Sequence, residues 1–460
     1  MPSKSARKTM RHGSLLAAAL LGLALSGCSH HAARGGLGRG KAPKSAKTPV
    51  FGDRTSILGA ADVVKADETL ASTPVILPDP VDVADWPQPG GNAAKAVGGV
   101  TLGAGTTRVW MANIVGGSPR GKLASSPVVA DGKLYVIDTE AVVYAFDAQT
   151  GHRLWSQSVR APDDTGHIEF GGGVSVEGDR VYASTGVGDV LALSAKDGKV
   201  LWSKRPGGPL RGSPTLSLGN VYVMSQDNQL FALNETDGAV VWQDAGTLQS
   251  TGVFGVAAPA AAQGSVVAGY SSGELSAYRY ENGRALWGDA LSRTNISTSV
   301  STLTDIDADP VIDRGRVFAI GEGGRMASYE LVSGQRLWEI NIGGISTPLV
   351  AGEWVFVVTD KSKLYCLTRT TGKVRWIADL PFYESPRAKK GAIRWYGPIL
   401  AGGKLILTST QGQIAFVDPA QGKILGKKNR NVDDPVSLPP VAANKMLYIL
   451  TENGHLIAYR

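Results

Sequence analysis

Cysteine is almost missing from these 460 residues: there are two, Cys28 and Cys366. That is too few for a disulfide framework, so a stable fold here has to come from buried apolar surface. Cys366 lies in the apolar stretch "KLYCL" and reads as a buried, inert thiol. Histidine is also scarce. His12, His30 and His31 fall near the N-terminus, while His152, His167 and His455 stand singly, and no spacing suggests a metal site or a base beside a nucleophile. Long apolar runs are absent: the one run, Leu15 to Leu25, is too short to span a bilayer.

Acidic residues are missing from the first 50 positions, which carry nine basic ones. The formal charge of +7 therefore belongs to the N-terminus, because the remainder holds 47 − 9 = 38 basic against 40 acidic residues. A basic footprint for nucleic acid is excluded from the folded part.

What is present is a repeat. "AFDAQTGHRLW" ends at Trp155, and related stretches end at Trp202, Trp242, Trp287, Trp338 and Trp376; a seventh, "AFVDPAQGKILG", has Gly426 in place of tryptophan. Each copy has a glycine four residues before its end: Gly151, Gly198, Gly238, Gly283, Gly334, Gly372 and Gly422. The intervals of 47, 40, 45, 51, 38 and 50 residues bracket the period of four-stranded propeller blades. Around the first copy, short β-branched and aromatic runs are cut by Asp-Gly, Thr-Glu and Thr-Gly, which reads as consecutive hairpins and excludes helical repeats. The glycine supplies a positive φ that closes the third strand onto the fourth, and the tryptophan caps the fourth strand between blades.

Seven of eight inner strands are expected to open near a proline: Pro127, Pro214, Pro259, Pro310, Pro348, Pro398 and Pro440, with Val174 the exception. Proline is tolerated at a free sheet edge, which the first strand of a blade provides. "LIAYR" at the C-terminus lacks a fourth strand, and "TTRVWMANI" places Trp110 45 residues before Trp155. The fold class is therefore all-β: an eight-bladed β-propeller of four-stranded blades over 106–460, closed by an N-terminal strand in the last blade, at about 44 residues per blade.

Ahead of it, four basic residues, the apolar run and "LSGC" have the layout of a secretory signal over 1–27. Ending in Cys28, it resembles the lipobox of bacterial lipoproteins, which implies lipidation at Cys28; Ser29 in place of aspartate implies the outer membrane, facing the periplasm. Residues 28–80, rich in Gly, Ala, Lys and Pro, read as a flexible tether, and 81–105 as a segment leading into the ring.

Catalytic groups are not found. Asp305, Asp307 and Asp309 alternate like the start of an EF-hand loop, but Pro310 and Arg316 break the pattern at its sixth and twelfth positions, so the stretch reads as an exposed acidic loop and no metal is expected. The glycine run Gly171 to Gly173 lacks a phosphate-loop lysine and reads as a turn. The repeat is similar to that of pyrroloquinoline quinone enzymes, which implies as one alternative a quinoprotein dehydrogenase. Adjacent cysteines, which that resemblance requires, are missing, so neither an enzyme nor a cofactor is expected.

Lipobox, tether, an eight-bladed ring with these repeats and "DWPQPGGNAAKA" (Asp85 to Ala96) together resemble the BamB family, propeller lipoproteins of the outer-membrane β-barrel assembly machine. The resemblance implies a scaffold that binds the periplasmic domains of BamA and other components of that machine, assists barrel insertion, and meets unfolded outer-membrane proteins. It implies two contacts: acidic residues before an inner strand, at Asp305 and Asp307, and an apolar stretch at 251–254, with Val253 fitting and Phe254 standing where an arginine is expected. A propeller lipoprotein with a different envelope partner is the other alternative.

Overall fold

The structure is a computed structural model that describes residues 64–103, 107–118, 121–160, 170–248, 255–291, 305–426 and 430–460. Cys28, Val253 and Phe254 lie outside the described residues. The unit that begins at residue 60 is built of eight four-stranded antiparallel blades, seven of them meanders that run 1-2-3-4 in sequence, with Gly99–Val100 added to blade 7 as a parallel edge strand. Blades 1 to 6 take residues 128–158, 172–204, 215–245, 260–290, 311–340 and 349–379, and blade 7 takes 395–431. Blade 8 takes 441–459 for three strands, and its fourth is Arg108–Asn113, antiparallel to His455–Tyr459. Among the described residues the one helical turn is Glu68–Leu70, and no helix is long and apolar enough to cross a membrane.

Burial follows strand position. Val142–Asp147 and Lys133–Ile137, third and second strands of blade 1, are buried along nearly their whole length, whereas the fourth, Arg153–Ser158, alternates. The inner strands are covered on both faces because adjacent sheets share a core: Val128, Tyr135 and Val143 of blade 1 pack with Val174, Val181 and Leu191 of blade 2.

Each repeat tryptophan stitches one blade to the next. The Trp155 indole N–H donates to the Ala195 carbonyl at 3.2 Å, and the same bond recurs from Trp110, Trp202, Trp242, Trp287, Trp338 and Trp376 to the following blade at 2.7–3.1 Å. Its ring lies on the repeat glycine of that following blade. A Cβ on Gly283 would stand 2.6 Å from Trp242, and the other six glycines meet their tryptophans as closely. These glycines also hold φ near +70°. The glycine thus meets two demands, the left-handed turn and the seat for the neighbour's indole. Within its own blade each tryptophan faces a small residue: Ala145, Ala192, Ala232, Ala277, Ser328, Cys366 and Ala458. Cys366 is therefore the small-residue position of blade 6, fully buried, and burial pushes its thiol far above the usual range.

The missing tryptophan at Gly426 has the same explanation. Blade 8 takes its outer strand from the start of the chain, so it has no turn between third and fourth strands and no glycine seat for blade 7 to fill.

Residues 64–101 depart from the expected tether and lead-in. Asp67 N–H donates to the Val374 carbonyl, and Arg375 Nε donates to the Thr73 carbonyl, so 64–80 run along blade 6 rather than free of it. Residues 81–101 then form a belt across the inner strands. The N–H groups of Val129, Val176, Ala261, Ile312, Gly402 and Asn444 donate to the carbonyls of Trp86, Pro87, Ala93, Ala94, Val100 and Val83, and Leu216 N–H donates to Gln88 Oε1. Inner strands of seven blades would otherwise leave these donors at a bare edge, and the belt supplies the acceptors.

Candidate functional site

In a meander, the connections between blades and the turns joining second to third strands share one face of the ring, and the belt, which meets the turns joining first to second strands, lies on the other. A central cavity of about 830 Å³ runs between them, lined by Trp86, Lys95 and Val97 of the belt and by Asp307, Glu322 and Arg394 toward the connection face.

Charge gathers at that face. The carboxylates of Asp305, Asp307 and Glu322 lie within 4.8 Å of one another. Asp305 and Asp307 belong to the connection leading into the inner strand of blade 5, and Glu322 to its next turn, where Glu322 N–H donates to the Asp305 carbonyl at 2.9 Å. The expected exposed acidic loop is not what forms: Asp305 is 1% and Asp307 7% exposed. The physical reason is Arg211. Its Nη2 donates to Asp307 Oδ1 at 2.7 Å and to the Ile306 carbonyl at 3.3 Å, while Nη1 donates to the Gly269 carbonyl at 3.2 Å. A buried carboxylate persists where a cation meets it, and this pair ties the start of blade 3 to the start of blade 5. Gly255, opening blade 4, passes directly over it: a Cβ there would stand 2.0 Å from both Arg211 Nη2 and Asp307 Oδ1.

Burial lifts the Asp307 carboxyl to about 6 in spite of Arg211, with Asp305 adding to the rise. Burial also raises Glu322, to about 7, and Asp307, Asp360 and Asp305 push the same way while Arg394 opposes them. Asp309 is not part of the group: its Oδ1 accepts the Ala258 N–H at 2.8 Å, beside the belt residue Lys95, whose Nζ donates to Thr215 Oγ1 at 3.2 Å. Burial lowers the Lys95 ammonium, and Asp309 partly offsets this.

The structure thus brings Asp305 and Asp307 together and adds Arg211 and Glu322, which sequence reasoning missed. The family resemblance implies an arginine at the position of Phe254; the chain carries one in "LRGSP", at Arg211, ahead of the inner strand of blade 3. Its position, a lone charge inside an apolar approach to Pro214, is the signal that was available. The seven tryptophans are structural, as described above.

A family model described as outer membrane protein assembly factor BamB matches residues 107–169 and 139–378. The chain belongs to the BamB family. The outer membrane protein assembly factor BamB of Escherichia coli (strain K12) is 30% identical over 354 residues, 76% of this chain and 87% of that one. That of Yersinia pestis is 28% identical over 359 residues, 77% and 88% of the two chains. In solved structures, BamB from Moraxella catarrhalis superposes with a TM-score of 0.64 at 18% identity, covering 77% of this chain and 99% of that one. The quinohemoprotein alcohol dehydrogenase of Comamonas testosteroni shares the fold at a TM-score of 0.61 and 13% identity, covering 82% of this chain and 80% of that one.

Proposed function

We propose that this chain is a non-catalytic scaffold of the outer-membrane protein assembly machine, which binds the periplasmic domains of BamA and assists insertion of β-barrel proteins. It is held at the periplasmic face of the outer membrane by lipid on Cys28. Family membership supports the role, and the observation that carries the site is the Arg211–Asp307 pair with Asp305 and Glu322 at the connection face. Carboxylates crowded there favour a cationic group on the partner, because a Lys or Arg side chain relieves their mutual repulsion. A rigid ring that presents connections on one face is a natural binding platform.

The test is a detergent-solubilised affinity pull-down of the full lipidated chain from envelopes, comparing wild type with Asp305→Asn/Asp307→Asn and checking by thermal melt that the variant is folded. Recovery of BamA by wild type and its loss from the folded variant supports both role and site. Recovery by both keeps the role and discards the site; recovery by neither overturns the role. An absorbance spectrum of the purified protein tests the quinoprotein alternative, since a bound quinone absorbs in the near ultraviolet and visible.

A further inference from the structure

The connection between blades 6 and 7 carries an element that no blade requires. Tyr383–Ser385 and Lys390–Ala392 form a two-stranded hairpin, paired Tyr383 with Ala392 and Ser385 with Lys390, in a sheet of its own. An isolated hairpin is marginal in water, and this one is fixed at its foot. Ile393 N–H donates to the Phe382 carbonyl at 3.0 Å, and the Trp395 indole donates to the Pro381 carbonyl at 2.9 Å, with Ile393 and Trp395 both buried. The tip is free of the body: Pro386, Arg387, Ala388, Lys389 and Lys390 are all exposed.

Its charge contrasts with the rest. Residues 381–394 hold four basic residues and one acidic, on a chain that is slightly acidic beyond residue 50. Among the described residues no carboxylate pairs with Arg387, Lys389 or Lys390, whereas Arg205, Arg211, Arg336 and Arg369 each pair with an aspartate. At the foot, Arg394 lines the central cavity and is felt by Glu322. The hairpin therefore rises from the edge of the acidic recess, on the connection face. The belt lies on the opposite face, and Asp67 is bonded to Val374, at the far end of the strand that the hairpin follows.

We infer that the hairpin is a second docking arm, its Arg387, Lys389 and Lys390 closing on an acidic surface of the same protein partner whose cationic group meets the recess. This rests on the scaffold reading. Opposite charges side by side on one face fix the partner's orientation, since a rotated partner would bring like charges together. The uniformly anionic surface of a membrane would satisfy the arm and be repelled by the recess.

The experiment measures binding of the full-length protein in detergent to purified BamA of the same genome, in 50 and 300 mM NaCl. Arg387→Glu/Lys389→Glu/Lys390→Glu is expected to raise Kd by about tenfold or more at low salt, with the difference shrinking at high salt, and to leave the thermal melt unchanged because the three side chains are exposed. A photo-crosslinker at Ala388 is expected to capture BamA in envelopes. Tight binding by wild type with an unchanged Kd in the triple variant overturns the arm and leaves the scaffold reading intact. Crosslinks to phospholipid in place of protein also overturn it, in favour of a membrane contact. Failure of wild type to bind overturns the scaffold reading and the arm with it.

Discussion

The dual demand on the repeat glycine yields a measurable difference between two substitutions that look alike. Gly283 and Gly315 both hold left-handed backbone, with φ of +68° and +74°. Alanine at either position pays the same conformational penalty, about 1–2 kcal/mol. Around Gly315 an added Cβ meets nothing within 4 Å, whereas at Gly283 it would stand 2.6 Å from the Trp242 ring. That ring is unable to retreat: Tyr222 and Tyr278 flank it at 5.9 Å, and its N–H is bound to the Tyr280 carbonyl at 2.8 Å. Forcing a methyl group into such a contact adds about 1–3 kcal/mol. Gly283→Ala should therefore destabilise by about 2–5 kcal/mol, clearly more than Gly315→Ala. Urea denaturation followed by circular dichroism measures both, from the shift in midpoint at constant m. In a Trp242→Ala background the excess should vanish, because the atom it clashes with is gone. Equal effects of the two substitutions, or an excess that survives removal of Trp242, would refute the seat.

Other consequences follow from single groups. Ser328 occupies the small-residue position opposite Trp338, fully buried, with an unpartnered hydroxyl, so Ser328→Ala should stabilise by about 1 kcal/mol; a loss of stability in the melt would show that the hydroxyl is satisfied. Arg211→Met leaves Asp307 buried without its cation and should destabilise by about 3–5 kcal/mol, while Arg211→Met/Asp307→Leu recovers much of this; denaturation of both variants decides, and a single variant within about 1 kcal/mol of wild type would exclude the pair as a structural tie. Glu322 holds its proton to about 7 in the fold against an ordinary value of 4.5, so between those values the folded state binds the proton that the unfolded state has lost, and stability falls as pH rises through this window. Glu322→Gln should flatten that slope, matching wild type at pH 4 and exceeding it at pH 8; an unchanged slope in melts across the window counts against the shift.

Much of the ring was legible because its parts recur. Glycine and tryptophan at a fixed offset, and prolines directly ahead of six inner strands, report backbone geometry that the blades impose again and again, so the copies corroborate one another; Pro398, expected to open a seventh, falls inside Trp395–Ala401. The role of Gly426 became clear only when the outer strand of blade 8 was traced to Arg108–Asn113, a pairing that no local pattern contains. The belt was illegible for a different reason. "DWPQPGGNAAKA" satisfies five inner edges with four single carbonyls and one side chain, so it needs neither alternation nor β-branched residues, and its Pro and Gly content mimics a linker. The site was half legible: Asp305 and Asp307 stood out by spacing, but their burial depends on Arg211, almost a hundred positions earlier and two blades away. Charge partners that meet across a ring leave no periodic trace.

The pairing of Arg108–Asn113 with His455–Tyr459 has a consequence for when this protein becomes whole. The four strands of each earlier blade are contiguous in sequence, so those blades can form in succession as the chain is made. The last sheet waits, because its outer strand arrives first and its partner last. Until His455–Tyr459 is delivered, the Arg108–Asn113 strand has no ladder to join, and two sheet faces at the gap stay wet. Closure of the ring thus hinges on His455–Tyr459, and a protease or chaperone that reads exposed strand edges has a long interval in which to act.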